Sequence, residues 1–307
     1  MVDHIQRKKG RGKSKASQDL IEWAIQWFAE NHPASIRAAC YKLFVAGYTR
    51  SMSKGETNKV SVLLRKAREE GLLPWEHVVD ETREAERINT WANPDQVIKA
   101  AVDQYRRDYW QDQPRRVEVW SEKGTIRGTL APVLDRFGVT FRVMHGYGSA
   151  TALNTIARET LTSERPMHVL YLGDFDPSGL HMSVVDIPAR LARYGGKAIF
   201  QRIALTDDDV SAGTDLPHFD AATKIGDGRH RWFVTNYGTK CWELDAMAPG
   251  VLRKRVERHI IDLLDVAAWD RSVAVEEAET ASMREFFHDW KGISGQASKY
   301  SEGSNHG

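Results

Sequence analysis

The chain has 307 residues, about two domains' worth, with 41% hydrophobic and 28% charged residues, which are globular values. Its apolar runs are too short to span a bilayer or to follow the basic N-terminus as a secretory core, so an integral membrane protein is excluded and a cytoplasmic location expected. The formal charge of +1 hides an asymmetry: residues 1–72 hold 14 Lys/Arg against 7 Asp/Glu, a balance of +7, so the remainder carries −6.

Such a division suits a polyanion-binding front and a cation-binding back, although a basic tail on an ordinary enzyme gives the same pattern. Cys40 and Cys241 are too few for a disulfide framework or a four-cysteine zinc site.

Residues 1–16, with Arg7, Lys8, Lys9, Arg11, Lys13 and Lys15, read as a disordered basic arm. Gly12-Lys13-Ser14 is not a P-loop, because Arg7 stands where the leading glycine belongs. Ser17 is the expected cap of a helix to about residue 30, and Asn31-His32-Pro33 breaks it. Ser35 starts a second helix through 46, ended by Gly47. A third helix over about 57–70 puts Val60, Leu63, Leu64 and Ala67 on one face and Lys59, Arg65, Lys66 and Arg68 on the other. Three helices followed by an extended stretch at 72–82 suggest a helix-turn-helix core with a β wing, its third helix entering a DNA major groove. A small helical bundle with a solvated basic face fits the same pattern. The DNA-binding domain is thus expected over 17–92. Asn93-Pro94 opens a connecting helix to about residue 110, inside a linker over 93–115.

From residue 116 strands alternate with helices. Strands are expected at 117–121, 140–144, 168–172 and 198–203, and helices at 129–137, 150–160, 181–194, 248–264 and 273–290. This is the signature of βαβ units with a parallel sheet, placed over 116–291. The Gly/Ser-rich stretch 292–307 reads as a disordered tail.

Two acidic features stand at strand ends. Glu122 follows Val117-Glu118-Val119-Trp120-Ser121 and precedes Lys123-Gly124; Gly173-Asp174-Phe175-Asp176-Pro177-Ser178-Gly179 follows the apolar strand at 168–172. Strand ends of a parallel sheet gather groups into one crevice, and hard carboxylate oxygens there suit Mg²⁺ and phosphate chemistry. Capping or solvated turn carboxylates are the plainer explanation of a lone Asp-x-Asp.

The combined string is similar to the Toprim domain of topoisomerases, primases and related nucleases. Its Asp-Pro-x-Gly ending resembles the A subunit of topoisomerase VI and its meiotic double-strand-break relatives. The resemblance covers roughly residues 18–265, and the short chain resembles the two-domain Topo mini-A proteins. Other stretches similar to that group are Trp75 after Gly71-Leu72-Leu73-Pro74, His145-Gly146-Tyr147-Gly148-Ser149, Arg202-Ile203-Ala204-Leu205-Thr206 and Trp242-Glu243-Leu244-Asp245-Ala246.

That resemblance implies a winged-helix domain followed by a Toprim-type α/β domain with C-terminal helices. It implies Glu122, Asp174 and Asp176 as ligands of Mg²⁺, with Mn²⁺ as an alternative. It also implies a nucleophilic tyrosine in an Arg-x-x-x-Tyr stretch, which here is Arg37 and Tyr41. The chain departs from the family pattern in having Ala38 and Cys40 around that pair. Tyr41 is therefore read either as the nucleophile, with Arg37 on the scissile phosphate, or as a half-buried core tyrosine. Lys123 and His145 are candidates for phosphate or DNA contact, as are Lys59, Arg65, Lys66 and Arg68. Lys224, Asp227 and Arg229 are either DNA contacts or a solvated loop, and Glu243 and Asp245 either approach the metal or cap a helix.

The expected function is Mg²⁺-dependent cleavage of double-stranded DNA through a covalent phosphotyrosine. The expected assembly is a homodimer in which each tyrosine meets the opposite subunit's metal site, with a separate ATPase as a possible partner. The alternatives are a Toprim nuclease using metal-activated water and a non-catalytic DNA-binding or bridging protein.

Overall fold

The computed structural model describes residues 14–79, 90–144, 150–211 and 215–302, the stretch 291–302 as backbone only. The expectations for the arm up to 13, the wing at 80–82, the His145 turn and the tail at 303–307 lie outside these residues.

The first unit is helical. Helix α1 (Lys15–Asn31) is capped by Ser14, whose hydroxyl accepts from the Ser17 N–H at 3.3 Å. The expected cap, Ser17, sits one turn inside, because Lys15 and Ala16 are good helix formers that extend the helix into the basic run. Ser35 caps α2 (Ile36–Val45) as expected, accepting from Ala38 N–H at 3.1 Å. Gly47, at φ 79°, turns the chain toward α3 (Lys54–Glu69). Phe28, Leu43 and Leu64 from the three helices share one core with Leu73.

The segment expected to form a wing does something else in its described part. Trp75–His77 is a 3₁₀ turn, and strand β2 (Val78–Val79) runs parallel to β1 (Ala34–Ser35), with Ala34 opposite Val78. Buried Leu73 and Val78 draw this stretch onto the helical core.

Helix α4 (Pro94–Gln104) stops before the expected residue 110. Tertiary contacts override its propensity: Tyr105 and Arg107 bind Glu279, the Arg107 N–H donates to Glu276, and Trp110 donates to the Phe137 carbonyl at 2.7 Å.

The second unit is α/β. Strands β3 (Arg116–Ser121), β4 (Thr140–Val143), β5 (Met167–Leu172) and β6 (Ala198–Ala204) form a parallel sheet in the order β4-β3-β5-β6. The intervening helices are α5 (Ile126–Phe137), α6 (Ala150–Thr162), α7 (Pro177–His181) and α8 (Ile187–Arg193), with one π turn, Met182–Asp186, between the last two. Val117, Val119, Leu170 and Leu172 face the core that holds α5, while Trp120, Val169 and Tyr171 face the core under α6 and α8. Burial on both faces explains the apolar run of β5, while β3 is interrupted by the buried Glu118, which pairs with Arg142 at 2.6 Å.

Then come α9 (Asp207–Val210), β7 (Phe219–Asp220), α10 (His230–Tyr237), β8 (Lys240–Cys241), which pairs antiparallel with β7, α11 (Pro249–Leu263) and α12 (Val266–Glu302). The last helix includes 292–302, so that part of the expected disordered tail is helical. Arg253 of α11 ties the two units together, donating to Pro33, Asn31 and Thr129 carbonyls at 3.2 Å.

The strand order places the site. The chain leaves β3 for β4 on one side and returns to β5 on the other. The ends of β3 and β5 therefore flank a topological switch point, where α/β sheets open a crevice.

Candidate active site at the sheet edge

Glu122 leaves β3 and the Asp174 loop leaves β5, side by side. Glu122 Oε1 accepts from the Asp174 N–H at 3.0 Å. Two glycines make this approach possible. A Cβ on Gly179 would lie 2.5 Å from the Asp174 carbonyl oxygen and 3.1 Å from Glu122 Oε1; one on Gly173 would lie 2.8 Å from the Tyr171 ring. Burial and the neighbouring charge of Asp174 push the Glu122 carboxyl up to about 7. Burial also raises Asp174, against the pull of Lys123.

Asp176 turns differently. Its Oδ1 caps α7 by accepting from Gly179 N–H at 2.7 Å, and its Oδ2 pairs with Lys224 at 2.9 Å. The residues left Asp176 open between a metal ligand and a capping or solvated turn carboxylate, and the resemblance made it a ligand; the cap is formed. Lys224 is engaged with this acid rather than lying in a solvated loop.

Lys123 stands among three carboxylates. Its Nζ is 2.7 Å from Asp245, 2.8 Å from Asp174 and 3.6 Å from Glu243. Burial alone would lower its pKa, but Asp245, Asp174 and Glu243 outweigh that and hold it above the usual lysine value. Asp245 is 3% exposed and also accepts from Ser35 at 3.4 Å, so the cap residue of α2 touches this cluster. Asp174 Oδ1 accepts from the Leu244 N–H at 2.7 Å, drawing the Glu243–Asp245 segment onto the strand ends.

The helical unit supplies the other half. Arg37 Nε donates to Glu243 at 2.8 Å and lies 3.6 Å from Asp245. Its guanidinium stands 5.9 Å from the centre of the Tyr41 ring, as an i, i+4 pair on α2 permits. Tyr41 is 5% exposed, deeper than half-buried. Burial raises its pKa, Glu243 adds to the rise, and Arg37 and Lys123 counter it. Arg37, Tyr41, Lys123, Glu122 and Asp174 are thus gathered at one edge within a single chain, through Glu243 and Asp245. Those two acids were open between site and cap from the residues alone; their alternation was the only local signal.

On the basic face of α3 two of the four cations have carboxylate partners. Lys59 pairs with Glu56, Arg65 pairs with Glu69 at 2.9 Å, and Arg68 stacks on Trp75 at 4.2 Å. Lys66 is exposed. Burial pushes the thiols of Cys40 and Cys241 up to about 11 and about 12, so both stay protonated at neutral pH.

Arg202 has no role in the sequence reading beyond its place in a family-like stretch. Here it reaches from β6 under the Asp174 loop, donating to the Gly173 and Asp174 carbonyls at 2.7 and 2.6 Å. A single arginine in an apolar strand was its only sequence signal.

Among the described residues no group of three or more His, Cys, Asp or Glu side chains converges in a metal-ligating arrangement. The reason is local: Asp174 and Asp176 each face an ammonium group. Glu122 and Asp174, held together and mutually repelling, fit a magnesium ion bound by one or two carboxylates and waters rather than a three-carboxylate cage. Among the described residues no helix is long and apolar enough to cross a membrane.

No family model, curated protein or solved structure matches the chain.

Proposed function

We propose that this protein binds and cleaves double-stranded DNA in the cytoplasm by tyrosine transesterification, as a homodimer resembling the Topo mini-A proteins. On this reading the helical unit serves as a winged-helix-like DNA-binding domain and the α/β unit as a Toprim-like domain. The observation that carries it is the meeting of Arg37 with Glu243, which brings the Arg-x-x-x-Tyr helix to the carboxylate-lined end of the sheet.

The chemistry follows from the side chains. DNA phosphate competes with Glu243 for the Arg37 guanidinium, a better partner for a phosphate than for one carboxylate oxygen. Glu243, released beside the phenol, takes the Tyr41 proton. The phenol oxygen then bonds to phosphorus, the scissile phosphorus–oxygen bond breaks, and the departing DNA oxygen takes a proton from water to leave as a hydroxyl. Lys123 adds positive charge at the same edge. Glu122 and Asp174 would hold Mg²⁺ or Mn²⁺, which supplies charge to stabilise the phosphoryl group in transfer.

The burial of Tyr41 and its raised pKa favour a second reading, a nuclease in which water attacks and Tyr41 is structural. One experiment separates the two. End-labelled duplex is incubated with protein and Mg²⁺ or Mn²⁺, then denatured in detergent. Label retained on the protein supports transesterification; cut DNA without retained label overturns it in favour of hydrolysis.

A further inference from the structure

The Asp174 loop lies on a partly buried residue, Arg202, whose guanidinium is drawn out of water by an unusual set of partners. Arg202 Nε donates to the Leu205 carbonyl at 2.7 Å, and Nη1 donates to the Ser183 hydroxyl at 2.6 Å. Nη2 donates to the Gly173 carbonyl at 2.7 Å and the Asp174 carbonyl at 2.6 Å. All of these acceptors are neutral. A buried guanidinium ordinarily takes a carboxylate partner, because desolvating it is costly. Here three carboxylates stand nearby but face elsewhere: Glu122, Asp174 and Asp176 act on Arg202 only through space.

The planar fork matches this arrangement, and an ammonium group does not. A guanidinium donates along several fixed in-plane directions at once. Arg202 uses them to fix the end of β5, the start of the next loop and the π turn after α7. The Asp174 N–H is in turn the donor to Glu122. A shift of the 173–174 backbone therefore moves both carboxylates relative to each other.

We infer that Arg202 is a positioning residue for a divalent cation at Glu122 and Asp174: it sets the loop backbone through carbonyl oxygens and occupies no carboxylate oxygen of either residue. The inference rests on the metal reading of that pair. It makes Arg202 neither a ligand nor a mere counter-charge, and those alternatives give different results. Residues that orient metal ligands are typically worth 10–100-fold in metal affinity.

The test measures Mn²⁺ binding by electron paramagnetic resonance, without DNA, in the full chain and in Arg202→Lys, Arg202→Met, Ser183→Ala and Asp174→Asn. Thermal unfolding is followed in parallel. Wild type is expected to bind Mn²⁺ and Asp174→Asn to lose it. Arg202→Lys and Arg202→Met are expected to lose about 10–100-fold alike while remaining folded, since both lack the fork. If Arg202→Lys binds as wild type, charge alone suffices and the inference is overturned. If Arg202→Met binds more tightly, Arg202 is only a counter-charge and the inference is again overturned. If both Arg202 variants fail to fold, Ser183→Ala decides: a several-fold loss supports positioning, and unchanged affinity overturns it. Wild type that binds no Mn²⁺ overturns the metal reading together with the inference, whereas unaltered Arg202 variants overturn the inference alone.

Discussion

Arg37 and Glu243 are 206 positions apart and form a two-pronged ion pair, with the Nε and Nη2 groups of Arg37 both donating to the same carboxylate oxygen of Glu243. Arg37 is half exposed, at 50% of its side chain, so solvent screens the pair and its worth is at most about 1 kcal/mol. Its role is to hold the guanidinium rather than the fold. Glu243→Gln is expected to shift the urea midpoint little and to strengthen binding to duplex DNA, whereas Arg37→Ala weakens it. Fluorescence anisotropy checks this, and weaker binding in both variants would sink the idea.

Tyr41→Phe keeps the buried ring and removes the attacking oxygen. Cleavage and covalent adduct are expected to vanish together. Stability falls by no more than about 1–3 kcal/mol, the cost of leaving a buried polar partner unmet. A folded variant that cuts at the wild-type rate would leave only the hydrolytic reading.

Gly179→Ala places a methyl 2.5 Å from the Asp174 carbonyl oxygen, a backbone atom held in turn by Arg202. Overpacking of this kind costs about 1–3 kcal/mol. Gly55→Ala, with nothing within 4 Å of its Cβ on α3, serves as control and is expected to be neutral or stabilising. Equal unfolding midpoints for the two variants would contradict the close approach.

Glu122 makes stability depend on pH. Its carboxyl titrates near pH 7 when folded and near about 4.3 when unfolded, so the folded state binds the extra proton between those values. Stability from this group is therefore lost as pH rises from about 4.3 to about 7, and the loss is complete above that. Glu122→Gln keeps an acceptor for the Asp174 N–H without the charge. It is expected to exceed wild type by on the order of 1–3 kcal/mol at pH 8, with the difference closing toward pH 4. Urea titrations at the two pH values check this; a pH-independent difference would rule it out.

On α3, Lys59 and Arg65 already have carboxylate partners, while Lys66 is exposed and Arg68 lies on Trp75. Replacing Lys66 and Arg68 with Ala is expected to flatten the salt dependence of DNA binding by up to about 0.9 in log–log slope per lost phosphate contact. Replacing Lys59 and Arg65 is expected to change it less. The reverse order would show that the ion pairs open on binding.

Local chemistry determined most of the framework. Ser35 capping α2, Gly47 ending it, and apolar strands followed by Glu122 and by Gly173-Asp174 all express interactions within a few residues, which spacing and residue type reveal. Contacts made across the chain decided the rest. Helix α4 ends where Glu276 and Glu279 capture its exit, and Val78–Val79 pair parallel to β1 because Leu73 and Val78 join the helical core. The site is the clearest case. Glu122 and Asp174 were legible as strand-end acids, but their hydrogen bond, the ammonium groups facing Asp174 and Asp176, and the seat of Arg202 depend on strand order. A sequence pattern specifies which groups leave each strand; only the folded sheet decides which strands are neighbours, and hence which charges share low-dielectric space.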